Sequence, residues 1–230
     1  MGRKTKEEAK ATRERLLDAA QCLFREQGVT RTSLAEVATA AGMTRGAVYW
    51  HFKDKADLFR AMCDRATLPL ESQFEHVQPC AEADPFGTLR TLCIGALTTL
   101  ARDPRAQNVF EIVFHKSELV DELAGLATSH RQERGACLAQ IEDIMRRAAY
   151  VGQLPADIDA ALATQGLHAL MVGIMHEWVL DPTAYDLAAA APSLVDVFLA
   201  GLKVNPPRLA SGKGLQASPR TREARQGSSR

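Results

Sequence analysis

Residues 33–55 read SLAEVATAAGMTRGAVYWHFKDK, and this stretch decides the fold. Ser33 and Glu36 form a capping-box pattern, which predicts the start of a short helix. Gly42 interrupts that helix, and Thr44 can cap the next one. The next helix is only two turns long and is crowded with polar and aromatic residues. A capped helix, a glycine turn and a second short helix together predict a helix-turn-helix.

The second short helix has the dimensions and side chains that suit DNA. Its seven residues, 44–50, rise about 10 Å and fit a major groove about 12 Å wide. Arg45 can make two hydrogen bonds to a guanine edge, while Tyr49 and His51 can reach phosphates. The sequence therefore predicts that this helix reads double-stranded DNA.

The composition is that of a globular protein. The chain has 230 residues, of which 46% are hydrophobic and 24% are charged, so a disordered or fibrous chain is excluded. No run of 18 apolar residues occurs, and the N-terminus is charged, so neither a transmembrane helix nor a secretory signal is expected. Five cysteines without a C-x-x-C pair fit reduced thiols in a cytoplasm better than disulfides or a zinc site.

The net charge of zero conceals a segregation along the chain. Residues 1–60 hold 12 basic and 8 acidic side chains, residues 61–205 hold 10 and 19, and residues 206–230 hold 6 and 1. A basic head beside an acidic body suggests that the head meets a polyanion. Chance variation of a solvated surface is the alternative.

Helical patterns run through the rest of the chain. A first helix is predicted from about Lys6 to Gln27, with Gly28 as its C-cap. Further helices are predicted over about 85–101, 104–115, 117–151, 155–180 and 192–202. With about nine helices and no convincing strand, the expected class is all-α: an N-terminal three-helix helix-turn-helix domain and a C-terminal helical bundle. The expected boundaries are 1–54 for DNA binding, 55–205 for ligand binding and dimerisation, and 206–230 for a disordered basic tail.

The deciding stretch also resembles a known family. Residues 45–55, with Thr32-Ser33-Leu34 before them, are similar to the DNA-binding domain of TetR-type transcriptional repressors. The opening residues 3–9 and the pair Gly28-Val29 narrow the resemblance to the AcrR/TtgR-like group, and looser similarity continues to about residue 205. The resemblance implies repression of multidrug efflux-pump genes. It also implies a homodimer formed by the last two helices and a ligand cavity among the middle helices.

The helix-turn-helix and the resemblance together define an expected DNA interface. A homodimer carrying two such units would match a palindromic operator. The expected DNA contacts are Lys4, Lys6, Thr32, Ser33, Thr44, Arg45, Gly46, Ala47, Tyr49, Trp50, His51 and Lys55.

The body offers candidates for both implied sites. The last helix carries an apolar face at three- and four-residue spacing, and the helix before it is apolar on more than one side. The expected dimer-interface residues are Leu167, Ile174, Leu194, Val195, Phe198, Leu199 and Leu202. Aromatic rings and flexible methionines suit varied apolar ligands. The expected ligand contacts are Met62, Ala66, Phe110, Phe114, Met171, Met175 and Trp178.

Ordinary core packing is the alternative for every residue of these two sets. Phe110 and Phe114 stand where the TtgR-like branch offers polar groups, so ligand preference is not carried over. Cationic ligands remain an alternative, because the body is acidic and contains Glu111 and Glu177.

The predicted function is a cytoplasmic, ligand-responsive repressor without metal, cofactor or membrane partner. A ligand-independent architectural DNA-binding protein is one alternative, for which the basic head and tail would suffice. An enzyme that uses the helical cavity is the other. The sequence offers no nucleophile–base pair and no phosphate-cradling glycine loop, so catalysis is not expected.

Overall fold

The fold was analysed on a computed structural model that describes residues 6–65, 83–116 and 124–209. Within these ranges the backbone is helical almost throughout, and the predicted all-α class is confirmed. The helices are α1 (Lys6–Gln27), α2 (Leu34–Ala40), α3 (Arg45–His51), α4 (55–65), α5 (Pro85–Arg102), α6 (Pro104–Glu111), α7 (Ala124–Tyr150), α8 (Ala160–Leu180) and α9 (Leu187–Val204). A π-helical segment, Ile112–Lys116, continues α6. The candidate residues Lys4 and Ala66 and the tail residues 210–230 lie outside the described ranges.

The first three helices pack around the buried stripe of α1. Leu16 and Phe24 of α1 are fully buried and are joined in the core by Val37 of α2 and Val48 of α3. Full burial of a side chain of this size stabilises the fold by about 1.5–3 kcal/mol. The core thus fixes α2 and α3 relative to each other, and the opposite face of α3 is left outside.

Local signals place the ends of α2 and α3 as predicted. The Ser33 hydroxyl accepts a hydrogen bond from the Glu36 N–H, and the Glu36 carboxylate accepts one from the Ser33 N–H, which completes the capping box. Gly42 follows α2 with φ of +67°, a conformation that glycine adopts without steric cost. Thr44 caps α3 by accepting from the Ala47 N–H.

Two helices of the body begin elsewhere than expected. α9 begins at Leu187, capped by Asp186, so Pro192 lies inside the helix instead of at its first position. Residues 187–191 are mostly alanine, the best helix former, and they extend the helix before the proline.

α8 begins at Ala160, capped by Asp159, and not at Pro155. The residues before α8 are instead bonded to the segment that follows α9. The Asp159 N–H donates to the Pro207 carbonyl, and the Leu209 N–H donates to the Asp157 carbonyl. Residues 206–209 therefore lie against the α7–α8 connection, and the tail does not begin at 206 as expected.

The body is built around α5, which packs against both α7 and α9, while α7 also packs against α8. α9 has the length and apolar composition of a membrane-crossing helix, but one such helix is weak evidence, because core helices meet the same criteria. Its Val195 and Leu199 are buried within the chain.

Candidate DNA interface, effector region and interdomain contacts

The outer face of α3 carries the exposed side chains. Trp50 is 72% exposed and Tyr49 is 49% exposed, although aromatic residues of this size are usually more deeply buried. The Arg45 guanidinium carbon lies 5.6 Å from the centre of the Tyr49 ring. Gly46 and Thr44 are also exposed, whereas Ala47 and His51 are partly buried. The exposed face of α3 therefore carries hydrogen-bond donors and aromatic rings. At Gly46 it has no side chain to keep its backbone away from a DNA duplex.

An open groove of about 590 Å³ adjoins this face. We call it the α2–α4 groove; it is lined by Thr30, Arg31, Thr32, Ser33, Leu34, Tyr49, Lys53, Asp54, Lys55 and Ala56. Three of its lining residues are basic and one is acidic. Lys55 donates a hydrogen bond from Nζ to the Thr30 carbonyl at 3.0 Å, so its ammonium group is held at the groove. A groove with this balance of charge fits a backbone phosphate.

The capping box places an ionised carboxylate near the groove. Hydrogen bonds from the Ser33 hydroxyl and the Ser33 N–H hold the pKa of Glu36 below its ordinary value, and Gln27 and Lys55 act in the same direction. The Ser33 hydroxyl donates to Glu36 at 2.7 Å. The Ser33 side chain is therefore engaged as the N-cap of α2.

Thr32 has a structural role as well as the one expected. Its side chain is 1% exposed, and its hydroxyl donates to the Gly28 carbonyl at 2.8 Å and accepts from Gln27 at 3.2 Å. These bonds fasten the α1–α2 turn. Because the hydroxyl is bonded within the turn, the Thr32 side chain holds the wall of the groove, and a contact of Thr32 with DNA stays a prediction.

Two of the expected ligand contacts, Phe110 of α6 and Phe114 of the π-helical segment, form an aromatic cluster with α8. The rings of Phe110 and Phe114 lie 5.6 Å apart, and Phe114 lies 5.4 Å from His176. His115 lies 4.6 Å from His176 and has a buried Nε2 with no hydrogen-bond partner among the described residues. Neither histidine was predicted, since they come from different helices and no sequence spacing links them.

The other expected ligand contacts in the described residues are more deeply buried. Met62 is fully buried, Met175 and Trp178 are buried, and Met171 is partly buried. Trp178 donates from its indole N–H to the Tyr185 carbonyl, which fastens the α8–α9 connection. None of these side chains lines the α2–α4 groove or the groove between α8 and α9 that is described next. The hydrogen bond to the Tyr185 carbonyl gives Trp178 a structural role, and its contact with a ligand stays a prediction.

A second open groove of about 540 Å³ follows α8 and α9. We call it the α8–α9 groove; its lining includes Leu162, Gly166, Leu170, Leu194, Val197, Phe198 and Leu202. Val197 is 78% exposed and Leu162 is 57% exposed, and sequence reasoning missed both. By contrast, Leu167, Val195 and Leu199 are at most 2% exposed. These three belong to the core of the chain itself, and the expectation that they form an intermolecular interface is corrected.

Contacts of α1 and of the α1–α2 turn join the helix-turn-helix to the body. They comprise bonds from Gln21 to the Arg105 carbonyl (3.2 Å), from Arg25 to Asn108 (2.9 Å) and from the Val29 N–H to the Lys116 carbonyl (3.3 Å). The last of these ends on the π-helical segment beside the aromatic cluster. α4 is joined to α1 as well, because Arg65 forms ion pairs with Asp18 and Glu14.

Comparison with known proteins identifies the family. Residues 16–62 match the model of the "bacterial regulatory proteins, tetR family", and residues 84–204 match that of the "MAATS-type transcriptional repressor, C-terminal region". The chain is 37% identical to the transcriptional regulator AcrR of Shigella flexneri over 86% of this chain and 93% of that protein.

Solved structures agree with this identification. The structure of NalD, the secondary repressor of the MexAB-OprM multidrug efflux pump of Pseudomonas aeruginosa, is 31% identical with a TM-score of 0.73, covering 87% of this chain and all of that one. SmeT, the repressor of the Stenotrophomonas maltophilia multidrug efflux pump SmeDEF, is 31% identical in its complex with triclosan, with a TM-score of 0.72 over 90% of this chain and all of that one. The chain belongs to the TetR family of bacterial transcriptional regulators.

Proposed function

We propose that this protein is a cytoplasmic, homodimeric repressor of a multidrug efflux operon that releases its operator when a small aromatic or hydrophobic molecule binds. The observation that carries the proposal is the outer face of α3, where Arg45, Tyr49 and Trp50 stand exposed beside the basic α2–α4 groove. Similarity to efflux repressors extends over the body as well as the DNA-binding part. The proposed role is regulatory and needs no catalytic step.

In this proposal α3 enters the major groove and the α2–α4 groove receives the phosphate backbone. Arg45 reads a base edge, and Lys55 and Lys53 contact phosphates. Thr44, Gly46, Ala47 and His51 lie on or beside the same helix and complete the interface. Lys6, exposed at the first turn of α1, adds a charge to it.

Dimerisation is proposed through the α8–α9 groove. A monomer would leave Leu162, Val197 and the groove between them in water, and an exposed apolar patch of this kind marks an interface. A second copy related by a two-fold axis would present the same surface in return. Two α3 helices would then face successive major grooves of a palindrome.

The effector is proposed to bind at the aromatic cluster of Phe110, Phe114 and His176. Rings whose centres lie 5.4–5.6 Å apart pack against each other and together offer an aromatic surface on which a flat aromatic ligand can stack. SmeT has been solved with triclosan, which is a reason to choose triclosan as the first probe.

The signal would pass to DNA through α1. The π-helical segment begins two residues after Phe110, contains Phe114 and His115, and accepts a hydrogen bond from the Val29 N–H in the α1–α2 turn. α4 gives a second connection through Arg65. A tenfold release of DNA needs about 1.4 kcal/mol of differential ligand affinity, and a near-complete switch needs about 5.5 kcal/mol.

The test is binding of the full chain to the DNA upstream of its own gene. Fluorescence anisotropy at physiological salt, with random duplex as competitor, should give about 10³-fold or greater preference for that DNA. Addition of triclosan should lower the affinity at least several-fold. Equal competition by random duplex would contradict the proposal and favour an architectural DNA-binding protein. Specific binding that no aromatic probe weakens would contradict the effector part alone.

A further inference from the structure

We propose that Tyr49 is a positioning residue for base recognition, because its ring holds the Arg45 guanidinium toward the base edges. This inference rests on the proposed DNA-binding function. The observation is the 5.6 Å separation of the guanidinium carbon from the ring centre. The separation lies within the range over which a cation is attracted to the face of an aromatic ring.

The pairing follows from the geometry of α3. Arg45 is the first residue of the helix and Tyr49 lies four residues later, so the two side chains share a face. Long side chains in a helix lean toward its N-terminus, which carries the Tyr49 ring back toward Arg45. The helix is itself anchored by the fully buried Val48. The ring is therefore attached to a fixed element.

The ring is the contact that restrains Arg45. The structure records no hydrogen bond or ion pair of the Arg45 side chain with any residue that it describes, and the residue is exposed. A free arginine occupies many rotamers, and ordering it on DNA costs binding free energy. A ring beneath the guanidinium narrows those rotamers before DNA arrives. The attraction expected at an exposed site corresponds to about a two- to fivefold change in an equilibrium.

Tyr49 also lines the α2–α4 groove, so its ring and its hydroxyl can act separately. The hydroxyl can donate to a phosphate, which would strengthen binding to every sequence alike. The ring would act only through Arg45, and therefore only on discrimination at the base pair that Arg45 reads. The two contributions predict different behaviour for two substitutions at one position.

The experiment uses the full chain and a duplex selected by it from a random-sequence library. R45A, measured on this duplex and on its single-base-pair variants, identifies the pair whose discrimination depends on Arg45. Y49F keeps the ring and removes the hydroxyl, whereas Y49L keeps apolar bulk and removes the aromatic face. Tyr49 is half exposed, and thermal unfolding of each variant verifies that the fold is intact.

We expect Y49L to lower discrimination at the Arg45-dependent base pair about two- to fivefold, while Y49F retains it. In the R45A background, Y49L should not change discrimination at that pair any further. Retention of full discrimination by Y49L would overturn the inference. An equal loss in Y49F would overturn it too, because the hydroxyl would then be responsible. A wild-type chain that selects no sequence at all would instead refute the proposed function itself.

Discussion

Lys55 stands where the helix-turn-helix meets the body, in the first turn of α4. Its Nζ is held 3.0 Å from the Thr30 carbonyl, at the wall of the α2–α4 groove. A lysine ammonium contacts phosphate as a point charge and carries no information about sequence. Its contribution to DNA binding should therefore come from the release of counterions.

Replacing Lys55 by methionine should weaken binding to operator and random duplex by the same factor. The slope of log affinity against log salt should fall by about one unit per protomer, because one phosphate contact is lost. The measurement is anisotropy over a series of salt concentrations. Lys203→Met is the matched control, since Lys203 lies on α9 over the Phe86 ring, outside the groove. An unchanged slope for Lys55→Met would remove Lys55 from the phosphate contacts.

Thr32 and Ser33 show what could be predicted for single residues. Both are hydroxyl residues beside the start of α2, and the sequence predicts DNA contact for both. The structure turns Thr32 inward, onto the Gly28 carbonyl, and leaves Ser33 outside. Side-chain chemistry is readable from a sequence, but its direction depends on how the α1–α2 turn packs. For Arg45 and Tyr49 helical spacing was enough, since it fixes a shared face.

At the scale of the element, α2 depends on a capping box that titrates. The Glu36 carboxylate accepts hydrogen bonds from the Ser33 hydroxyl and N–H, and its pKa is lowered by them. A folded-state pKa below the unfolded value means that the stabilisation is present above about pH 4.5. It is lost as pH falls through the folded-state value.

Glu36→Gln keeps the hydrogen-bonding shape of the capping box and removes the titration. We expect the wild-type chain to lose more stability than Glu36→Gln between pH 5 and pH 3, as measured by urea unfolding at each pH. Other carboxyl groups with lowered pKa, such as Asp84 and Asp196, titrate in both proteins and cancel in the comparison. Identical pH profiles for the two proteins would show that the capping box contributes no proton linkage.

Helix ends were predictable where the signal is local. Ser33, Gly42 and Thr44 mark their ends through contacts within a few residues, and the structure agrees with all three. The start of α8 was not predictable, because the residues before it bond to the carbonyl and N–H groups of residues 207–209, about 50 positions away. The π-helical segment after α6 was likewise missed, since no sequence pattern announces it.

At the scale of the whole molecule, the α8–α9 groove is the surface proposed to pair two copies. Val197→Glu would place a charge within that surface. Because Val197 is 78% exposed in a single chain, the change should leave the fold of each protomer intact. We expect the mass measured by light scattering to fall from dimer to monomer, with loss of operator affinity.

Val151→Glu is the matched control for this experiment. Val151 is also exposed, but it follows α7 and does not line the groove. The Val151→Glu protein should remain dimeric and retain DNA binding. A Val197→Glu protein that is still dimeric would place the interface on another surface, and one that fails to fold would be recognised by its thermal unfolding.

Periodicity predicted the apolar faces of α8 and α9 but not which partner covers each. Leu167, Val195 and Leu199 follow the same spacing as Leu194 and Phe198, yet they are covered by their own chain. Helical spacing reports that a side chain is buried and does not report by which chain. The pairing of His115 with His176 was hidden for a related reason, since two helices far apart in sequence bring them together.

The hydrogen bonds of Gln21, Arg25 and Val29 to α6 and the π-helical segment have a consequence for recombination between relatives. Through them α1 and the turn after it pack against the C-terminal helices as well as against α2 and α3. A chimera that combines the helix-turn-helix domain of one relative with the C-terminal domain of another would therefore have its junction within these contacts. An exchange that replaces residues 1–54 alone would separate each donor from the carbonyl or amide it was matched to. A hybrid biosensor that uses residues 1–54 of this chain should therefore also keep Arg105, Asn108 and Lys116, which those residues contact.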